Sequence, residues 1–352
     1  MPSPSPRPSP EQKLVASLVA LLEAGTNPWR RPWDGSGGGH HCNLFSGRRY
    51  RGANPALLSL GLQLRGSSLP YWCGFAEARA HGLVPRRGSQ AVYVLRPQPV
   101  AATGTAAAAE PHRPDGAAGA SAAVGGSAEA AAERLAAAGT ADPPGPTRQR
   151  LRFRPVPVFN ALDLQGEALQ GLIRARRQAA GAVQRPEPER LAAAEQVLGA
   201  WPVPVSHGGD RACYIPGEDR IVLPVRAAFH DAASLYATWA HEAIHSSGHR
   251  SRLGRDLSGA PGSASYAREE LVAELGASLL GDRLEIGSDV HQHAAYLADW
   301  LALLQASPRL LFPLLSQARQ AADLICPEPL EPPESPPAPA SAASACCAQS
   351  LR

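Results

Sequence analysis

The chain has 352 residues, of which 18% are charged, and this length is enough for two domains with separate hydrophobic cores. Its formal net charge is only +3, but residues 1–96 carry twelve Lys and Arg against four Asp and Glu, a net charge of +8. This asymmetry predicts that the front part contacts a polyanion and that the remainder does not. We find no apolar run of membrane-spanning length and no signal-peptide core. The six cysteines include no C-x-x-C pair. We therefore expect a cytoplasmic protein with reduced thiols and no membrane partner.

The front of the chain predicts a small sheet with helices over residues 11–165. Residues 1–10 form a Pro/Ser-rich tail, and leucines at helical spacing predict an amphipathic helix over residues 11–24. Residues 91–97 and 152–164 are typical of two partner strands. Between them, residues 98–147 are dominated by Ala, Gly and Pro, which predicts a disordered insertion within this domain.

Three segments of this front domain interleave aromatic rings with arginines: NPWRRPW, SGRRYRGAN and the stretch from Tyr71 to Arg87. Arginines follow the phosphates of an unpaired strand, while flat rings stack on its bases. The pattern therefore predicts binding of single-stranded DNA, mainly without sequence preference. The alternative is a small basic domain whose rings are simply buried in its core. The residues predicted to contact DNA are Trp29, Arg30, Arg31, Trp33, Arg48, Arg49, Tyr50, Arg51, Asn54, Tyr71, Trp72, Arg86 and Arg87.

The second half of the chain predicts a separate domain over residues 202–326. A helical connector over residues 166–201 precedes it, and a Pro/Ala/Ser-rich tail over residues 327–352 follows it. Within the domain, residues 211–224 are typical of a hairpin with its turn at Pro216 to Asp219. Helices are predicted around residues 235–247, 266–284, 289–305 and 308–326. The sequence thus indicates an α+β protein of two domains.

The strongest chemical signal is the H-E-x-x-H motif at residues 241–245. On a helix, His241 and His245 project from the same face and can bind one metal ion, and Glu242 is then placed as general base toward a water held by the metal. Apolar residues upstream recur at helical spacing, and Gly248 is a suitable helix end. Two imidazoles favour Zn²⁺, although other divalent first-row ions suit the same ligands.

A catalytic zinc usually has three protein ligands. A third histidine in the pattern H-E-x-x-H-x-x-G-x-x-H is excluded because Ser251 occupies its position. The second helix, with Ser265 as its predicted cap, offers Glu270 and Glu274 on one face at i, i+4 spacing. We assign Glu270 as third ligand and Glu274 as the acceptor that orients a ligating histidine, and the reverse assignment stays open.

These segments resemble the ArdC-type antirestriction family, whose members combine an N-terminal single-stranded-DNA-binding domain with a C-terminal zincin-like metallopeptidase domain. The resemblance rests on NPWRRPW, SGRRYRGAN, YWCGFAEARAHG, VFNALDLQG, YIPGEDRIVLP, HEAIHSSGHRSRLGR, YAREELVAELGASLL and HAAYLADWLALL. It implies a metal site of His241, His245 and a glutamate of EELVAE, with Glu242 as base. It also implies two partners, single-stranded DNA and an unidentified protein substrate. Family members protect incoming plasmid or phage DNA from restriction.

Two functional alternatives remain open from the sequence. One is a non-catalytic module that binds single-stranded DNA and whose metal is structural or vestigial. The other is a peptidase whose basic domain binds acidic protein surfaces, without preference for unpaired DNA. If the domain is catalytic, Tyr266 or Arg268 is placed to stabilise the oxyanion.

Overall fold

A computed structural model describes residues 10–23, 39–99, 151–183, 185–287 and 297–328. The chain divides into two compact units, one made of residues 1–94 and 155–352 and the other of Leu95–Arg154. Of the second unit, the described residues are strand ends at 95–99 and 151–154. Trp29, Arg30, Arg31, Trp33 and most of the predicted tails and insertion lie outside the described residues.

The described residues of the front part form three α-helices and two small sheets. The helices are α1 (Pro10–Glu23), α2 (Asn54–Gln63) and α3 (Phe75–Ala80). The strands are β1 (Cys42–Asn43), β2 (Tyr71–Cys73), β3 (Val84–Pro85), β4 (Val92–Pro99), β5 (Leu151–Asn160) and β6 (Leu164–Gln165). One sheet has the order β1-β2-β5-β4 and the other pairs β3 with β6. The prediction that residues 91–97 and 152–164 contain neighbouring strands is confirmed.

Strand β2 divides the hydrophobic core of this part between the two faces of its sheet. Tyr71 and Cys73 join one buried cluster, while Trp72 between them joins the other. This alternation follows from the two-residue period of a strand. In the larger sheet, β1 is parallel to β2, and β5 runs antiparallel to β2 with Phe159 opposite Cys73.

The remainder of the chain forms a three-stranded sheet and six helices among the described residues. The strands are β7 (Val205–His207), β8 (Cys213–Ile215) and β9 (Arg220–Leu223), in the order β7-β9-β8. The helices are α4 (Leu169–Val183), α5 (Glu187–Gly199), α6 (Ala232–Ser247), α7 (Ala264–Leu284), α8 (Leu297–Ala306) and α9 (Leu311–Ile325). Strands β8 and β9 are the predicted hairpin, and the α+β class is confirmed.

Helices α6 and α7 carry the motifs identified above and pack closely. The predicted apolar faces are buried, with Leu235 and Trp239 each 4% exposed on α6 and Leu271 and Leu275 fully buried on α7. Asp231 caps α6, because its carboxylate accepts from the Ser234 backbone N–H at 2.7 Å.

The predicted cap of α7 at Ser265 is wrong. The helix begins two residues earlier, and the Ser263 hydroxyl accepts from the Tyr266 backbone N–H at 3.2 Å. In the described part of the chain, no helix has the length and apolarity needed to cross a bilayer.

Candidate metal centre

Three ligand atoms from two helices converge at one point. His241 and His245 lie one turn apart on α6, and their Nε2 atoms are 3.1 Å apart. Glu270 on α7 places Oε2 3.5 Å from Nε2 of His241 and Oε1 3.6 Å from Nε2 of His245. All three side chains are nearly buried, so the group is removed from bulk water.

The donor set fits a divalent metal ion. Ligand atoms that surround a tetrahedral zinc at about 2.1 Å lie about 3.4 Å from one another. The three observed separations fall on either side of that value, and the group is the one three-residue His/Cys/Asp/Glu cluster with converging ligand atoms among the described residues.

Glu274 lies behind His241 and outside this group. Its Oε2 is 3.9 Å from Nδ1 of His241, the ring nitrogen opposite the one that faces Glu270. The carboxylate is almost completely buried, at 1% exposure. This geometry favours Glu270 as ligand and Glu274 as a support of His241.

The sequence did not predict that a second carboxylate, Glu269, contacts a candidate metal-binding histidine. Oε1 of Glu269 lies 3.1 Å from Nδ1 of His245, and Arg255 donates to both Glu269 carboxylate oxygens, at 2.7 and 2.9 Å. Burial raises the pKa of Glu269, but the bonds from Arg255 and His245 outweigh it and lower the pKa overall. The two adjacent glutamates, Glu269 and Glu270, could have indicated this role. Neighbouring side chains on a helix point about 100° apart, so two adjacent glutamates can contact different partners.

The pKa of His245 is raised by the neighbouring carboxylates. Burial lowers the pKa of His245, but hydrogen bonds to Glu269 and Glu270 outweigh burial and raise the pKa to about 10. Both ring nitrogens of His245 thus face carboxylates, Nδ1 that of Glu269 and Nε2 that of Glu270.

Glu242 lies beside the group in a cavity of about 460 Å³. Its side chain is largely buried, and burial raises its pKa above the ordinary range while the two nearby imidazoles lower it. The Tyr214 backbone also hydrogen-bonds this carboxylate. Tyr266 lines the same cavity, whereas Arg268 is exposed and does not line it. Of the two residues considered for oxyanion stabilisation, only Tyr266 therefore faces the site.

Among the described residues, the arginines predicted to contact DNA are exposed or partly exposed, whereas the rings of Tyr71 and Trp72 are buried. Arg48, Arg49, Arg86 and Arg87 are exposed, and Tyr50, Arg51 and Asn54 are partly exposed. Tyr71 and Trp72, by contrast, are 2% and 0% exposed. The Trp72 indole N–H donates to Nδ1 of His41 at 3.1 Å, which satisfies its polar atom inside the core. The prediction that Tyr71 and Trp72 stack on bases is therefore wrong.

The two halves of the chain match two known domain families. Residues 9–124 match the N-terminal domain of the anti-restriction factor ArdC, and residues 192–317 match a zincin-like metallopeptidase domain. Protein y4eC of Sinorhizobium fredii is 30% identical over 315 residues, which cover 89% of this chain and 90% of that protein. The chain belongs to the ArdC-type antirestriction family.

Further relatives include a solved structure of the family. The crystal structure of antirestriction protein ArdC from plasmid R388 is 29% identical, with a TM-score of 0.58 over 90% of this chain and 96% of that one. The R388 protein was solved both metal-free and with Mn(II) bound. DNA primase TraC of Escherichia coli is 34% identical over 319 residues, and the match covers 89% of this chain but only 27% of TraC. The ArdC-type chain thus spans about a quarter of the TraC relative.

The family and the geometry agree on a divalent metal. An ArdC relative binds Mn(II), and the ArdC-type chain described here brings two imidazoles and a carboxylate together at metal-ligand spacing. Imidazole and carboxylate ligands suit several first-row divalent ions.

Proposed function

We propose that the chain is a single-stranded-DNA-binding protein with a zinc-dependent peptidase site, in which His241, His245 and Glu270 hold the ion and Glu242 is the general base. The observation that carries the peptidase half is the convergence of three ligand atoms, 3.1 to 3.6 Å apart, beside a buried glutamate in a cavity. A divalent ion in such a site polarises a peptide carbonyl and lowers the pKa of water.

The protein's own groups supply the remaining chemistry. Glu242 accepts a proton from the attacking water and returns it to the nitrogen of the leaving amine. Its raised pKa suits this role, because a carboxylate with a pKa closer to neutrality is the stronger base. Glu269, within hydrogen-bond distance of Nδ1 of His245, orients that imidazole, and Glu274 lies behind the imidazole of His241. The Tyr266 hydroxyl is the candidate donor to the carbonyl oxygen from the cavity wall.

The DNA-binding half rests on charge and on the family. Residues 39–99 contain eight arginines and a single acidic residue, Glu77. Of these, Arg48, Arg49, Arg79, Arg86 and Arg87 are exposed, and exposed arginines attract phosphate backbones by counterion release. ArdC is named for antirestriction, so the process we propose for this chain is the protection or handling of mobile DNA, with a peptide substrate that is still to be identified.

The substitution Glu242→Gln tests the catalytic half. It keeps the size of the side chain but removes the base, so we expect loss of peptide hydrolysis with unchanged metal content and unchanged affinity for single-stranded DNA. Hydrolysis is measured on a quenched-peptide library with the zinc-loaded full chain, and metal content by elemental analysis. The matched control Glu218→Gln changes an exposed glutamate, with 56% of its side chain accessible, and is expected to retain activity.

The outcomes distinguish a catalytic metal from a structural one. If neither the wild type nor Glu242→Gln cleaves any peptide while both retain the ion, the site is a metal-binding support for a DNA-binding module. A parallel assay transfers plasmid DNA into a restricting host with and without the chain, and equal transfer in both would count against the antirestriction role.

A further inference from the structure

A surface around α3 presents aromatic rings where a folded protein usually hides them. Phe75, the first residue of α3, is 49% exposed, and its ring centroid lies 6.4 Å from that of Phe159 on β5. At the other end of the helix, exposed His81 stacks on Phe45 with centroids 4.0 Å apart and an angle of 20° between the planes. Together with Arg79, these residues define what we call the α3 aromatic surface.

The rings are held in place by the core beneath them. Phe45 and Phe159 both pack against the buried cluster that contains Tyr71 and Cys73, and each stays partly exposed. Nδ1 of His81 lies 3.0 Å from the Glu77 carbonyl oxygen, which fixes the imidazole relative to the helix. A surface whose rings are already ordered loses little conformational entropy when a ligand stacks on it.

The charge around these rings is positive. The Arg79 guanidinium lies 6.0 Å from the centroid of the Phe75 ring, and Arg48 is exposed on the loop that carries Phe45. The one acidic residue of residues 39–99, Glu77, accepts two hydrogen bonds from the Asn43 amide, at 2.9 and 3.1 Å. Its carboxylate is therefore engaged within the protein, while the arginines face solvent.

We propose that the α3 aromatic surface is the base-stacking platform for single-stranded DNA, with Phe75 and the Phe45–His81 pair as its rings and Arg79 as a phosphate contact. This inference rests on the proposed DNA-binding function and assigns it a place. Flat rings bordered by arginines match an unpaired strand, whose bases offer π-faces and whose backbone offers negative charge. A duplex hides its base faces and should bind more weakly here.

The experiment measures binding of a fluorescein-labelled oligothymidylate to the full chain over a salt series. We expect Phe75→Ala to weaken binding about fivefold or more, the effect of losing one stacked base. Phe75→Leu should weaken binding similarly, because leucine retains apolar area without a π-face. Phe75→Trp should retain the wild-type affinity. Arg79→Ala should reduce the slope of log affinity against log salt by about 0.7, the value for one phosphate of a single strand.

The control is Leu324→Ala on α9, which removes a side chain of similar exposure, 44%, and should leave affinity unchanged. If the wild type binds the oligonucleotide and Phe75→Ala binds it equally well, the platform is elsewhere and the inference fails while DNA binding stands. If Phe75→Leu binds like the wild type, the contact is not stacking and the inference also fails. If the wild type itself does not bind, the proposed DNA-binding function fails first.

Discussion

Two neighbouring glutamates on α7 contact different groups at the candidate metal centre. Glu270 faces the Nε2 atoms of both histidines. Glu269 instead lies within hydrogen-bond distance of Nδ1 of His245, and it accepts hydrogen bonds from Arg255. Arg255 is only 6% exposed, and it also donates to the Ile244 carbonyl at 2.7 Å. The orientation of His245 thus depends on a buried chain of charge-assisted bonds that no ligand motif contains.

Removal of this support should weaken the metal site without removing a ligand. We expect Glu269→Ala to lower metal affinity about 10- to 100-fold, which is the usual effect of losing a carboxylate behind a metal-binding histidine. Competition with a chromophoric chelator measures the affinity. The adjacent Arg268→Ala is the control, because Arg268 is exposed on the same helix and its loss should change nothing. Equal affinities for Glu269→Ala and wild type would mean that His245 is oriented without Glu269.

Asp219 at the hairpin turn ties the small sheet to the end of α6. Its carboxylate accepts from the Tyr214 hydroxyl at 2.7 Å and from Arg252 at 3.0 Å, and Arg252 also donates to the Ser246 carbonyl at 2.8 Å. The hydrogen bond from Arg252 lowers the pKa of Asp219 to about 2. Because this folded-state pKa is below the unfolded value, the ionised carboxylate stabilises the protein above about pH 4 and loses this contribution as the pH falls toward 2.

We therefore expect Asp219→Asn to lower the unfolding midpoint at neutral pH, and we expect the difference from wild type to shrink between about pH 5 and pH 2. Thermal unfolding at a series of pH values measures it. The control is Glu218→Gln on the same turn, whose ion pair with Arg220 is largely exposed and should contribute almost nothing at any pH. A difference between Asp219→Asn and wild type that stays constant down to pH 2 would contradict the assigned pKa.

At the scale of elements, the spacing between α6 and α7 sets the ligand geometry, and one glycine permits that spacing. A Cβ added at Gly276 would lie 2.8 to 2.9 Å from three side-chain carbons of Ile244, which is fully buried on α6. Ile244 is one residue from His245, so a backbone shift that relieves this clash would move the candidate ligand His245. Helix packing and metal geometry are therefore coupled at this position.

We expect Gly276→Ala to lower the free energy of unfolding by about 1–3 kcal/mol, the cost of overpacking a core, and to weaken metal binding as well. Gly171→Ala on α4 is the matched control, because its Cβ would meet no atom within 4 Å and Gly171 is exposed. That change should stabilise the protein by about 0.5–1 kcal/mol through helix propensity. Chemical denaturation and chelator competition measure both effects, and unchanged metal affinity in Gly276→Ala would show that the helices can separate without disturbing the site.

The sequence predicted the two helices of this site and their motif residues, but not all the residues that contact the histidines from other segments. Helical periodicity identified α6, and i, i+4 spacing selected Glu270 and Glu274, because both signals depend only on positions within one helix. Glu269 was missed because its partners, His245 and Arg255, lie on other segments. The burial of Trp72 could not be predicted either, because the alternation of side chains along β2 does not show whether both faces of its sheet are covered.

At the scale of the whole molecule, α7 connects the metal centre to the front part of the chain. Near its other end, Asp282 and Glu285 approach the two ring nitrogens of His40, at 3.3 and 3.0 Å, and Arg185 donates to Glu285 at 3.1 Å. The side chains of His40, Asp282 and Glu285 are each 12–13% exposed, so these interactions are poorly screened by solvent. The same helix therefore carries the candidate ligand Glu270 and, near its end, a nearly buried hydrogen-bonded contact to His40.

This connection predicts that metal stabilises both parts of the chain together. A ligand present at 100 times its dissociation constant adds about 2.7 kcal/mol to the folded state. If α7 couples the two parts, removal of metal with a chelator should lower one shared unfolding transition in calorimetry. Two transitions in the wild type, of which only one moves with the chelator, would show that the parts unfold independently.

Substitution at the contact gives the decisive comparison. In His40→Ala, Asp282 and Glu285 lose a buried partner, so we expect a lower midpoint and a front part whose unfolding no longer follows the metal. The control is His230→Ala, which removes a similar His–carboxylate pair, 3.3 Å long, from a histidine that is 85% exposed. Because an exposed pair contributes little, that variant should unfold with the wild-type dependence on metal. A His40→Ala protein that keeps this dependence would place the coupling in the packing of α2 against α7 rather than in the hydrogen bonds of His40.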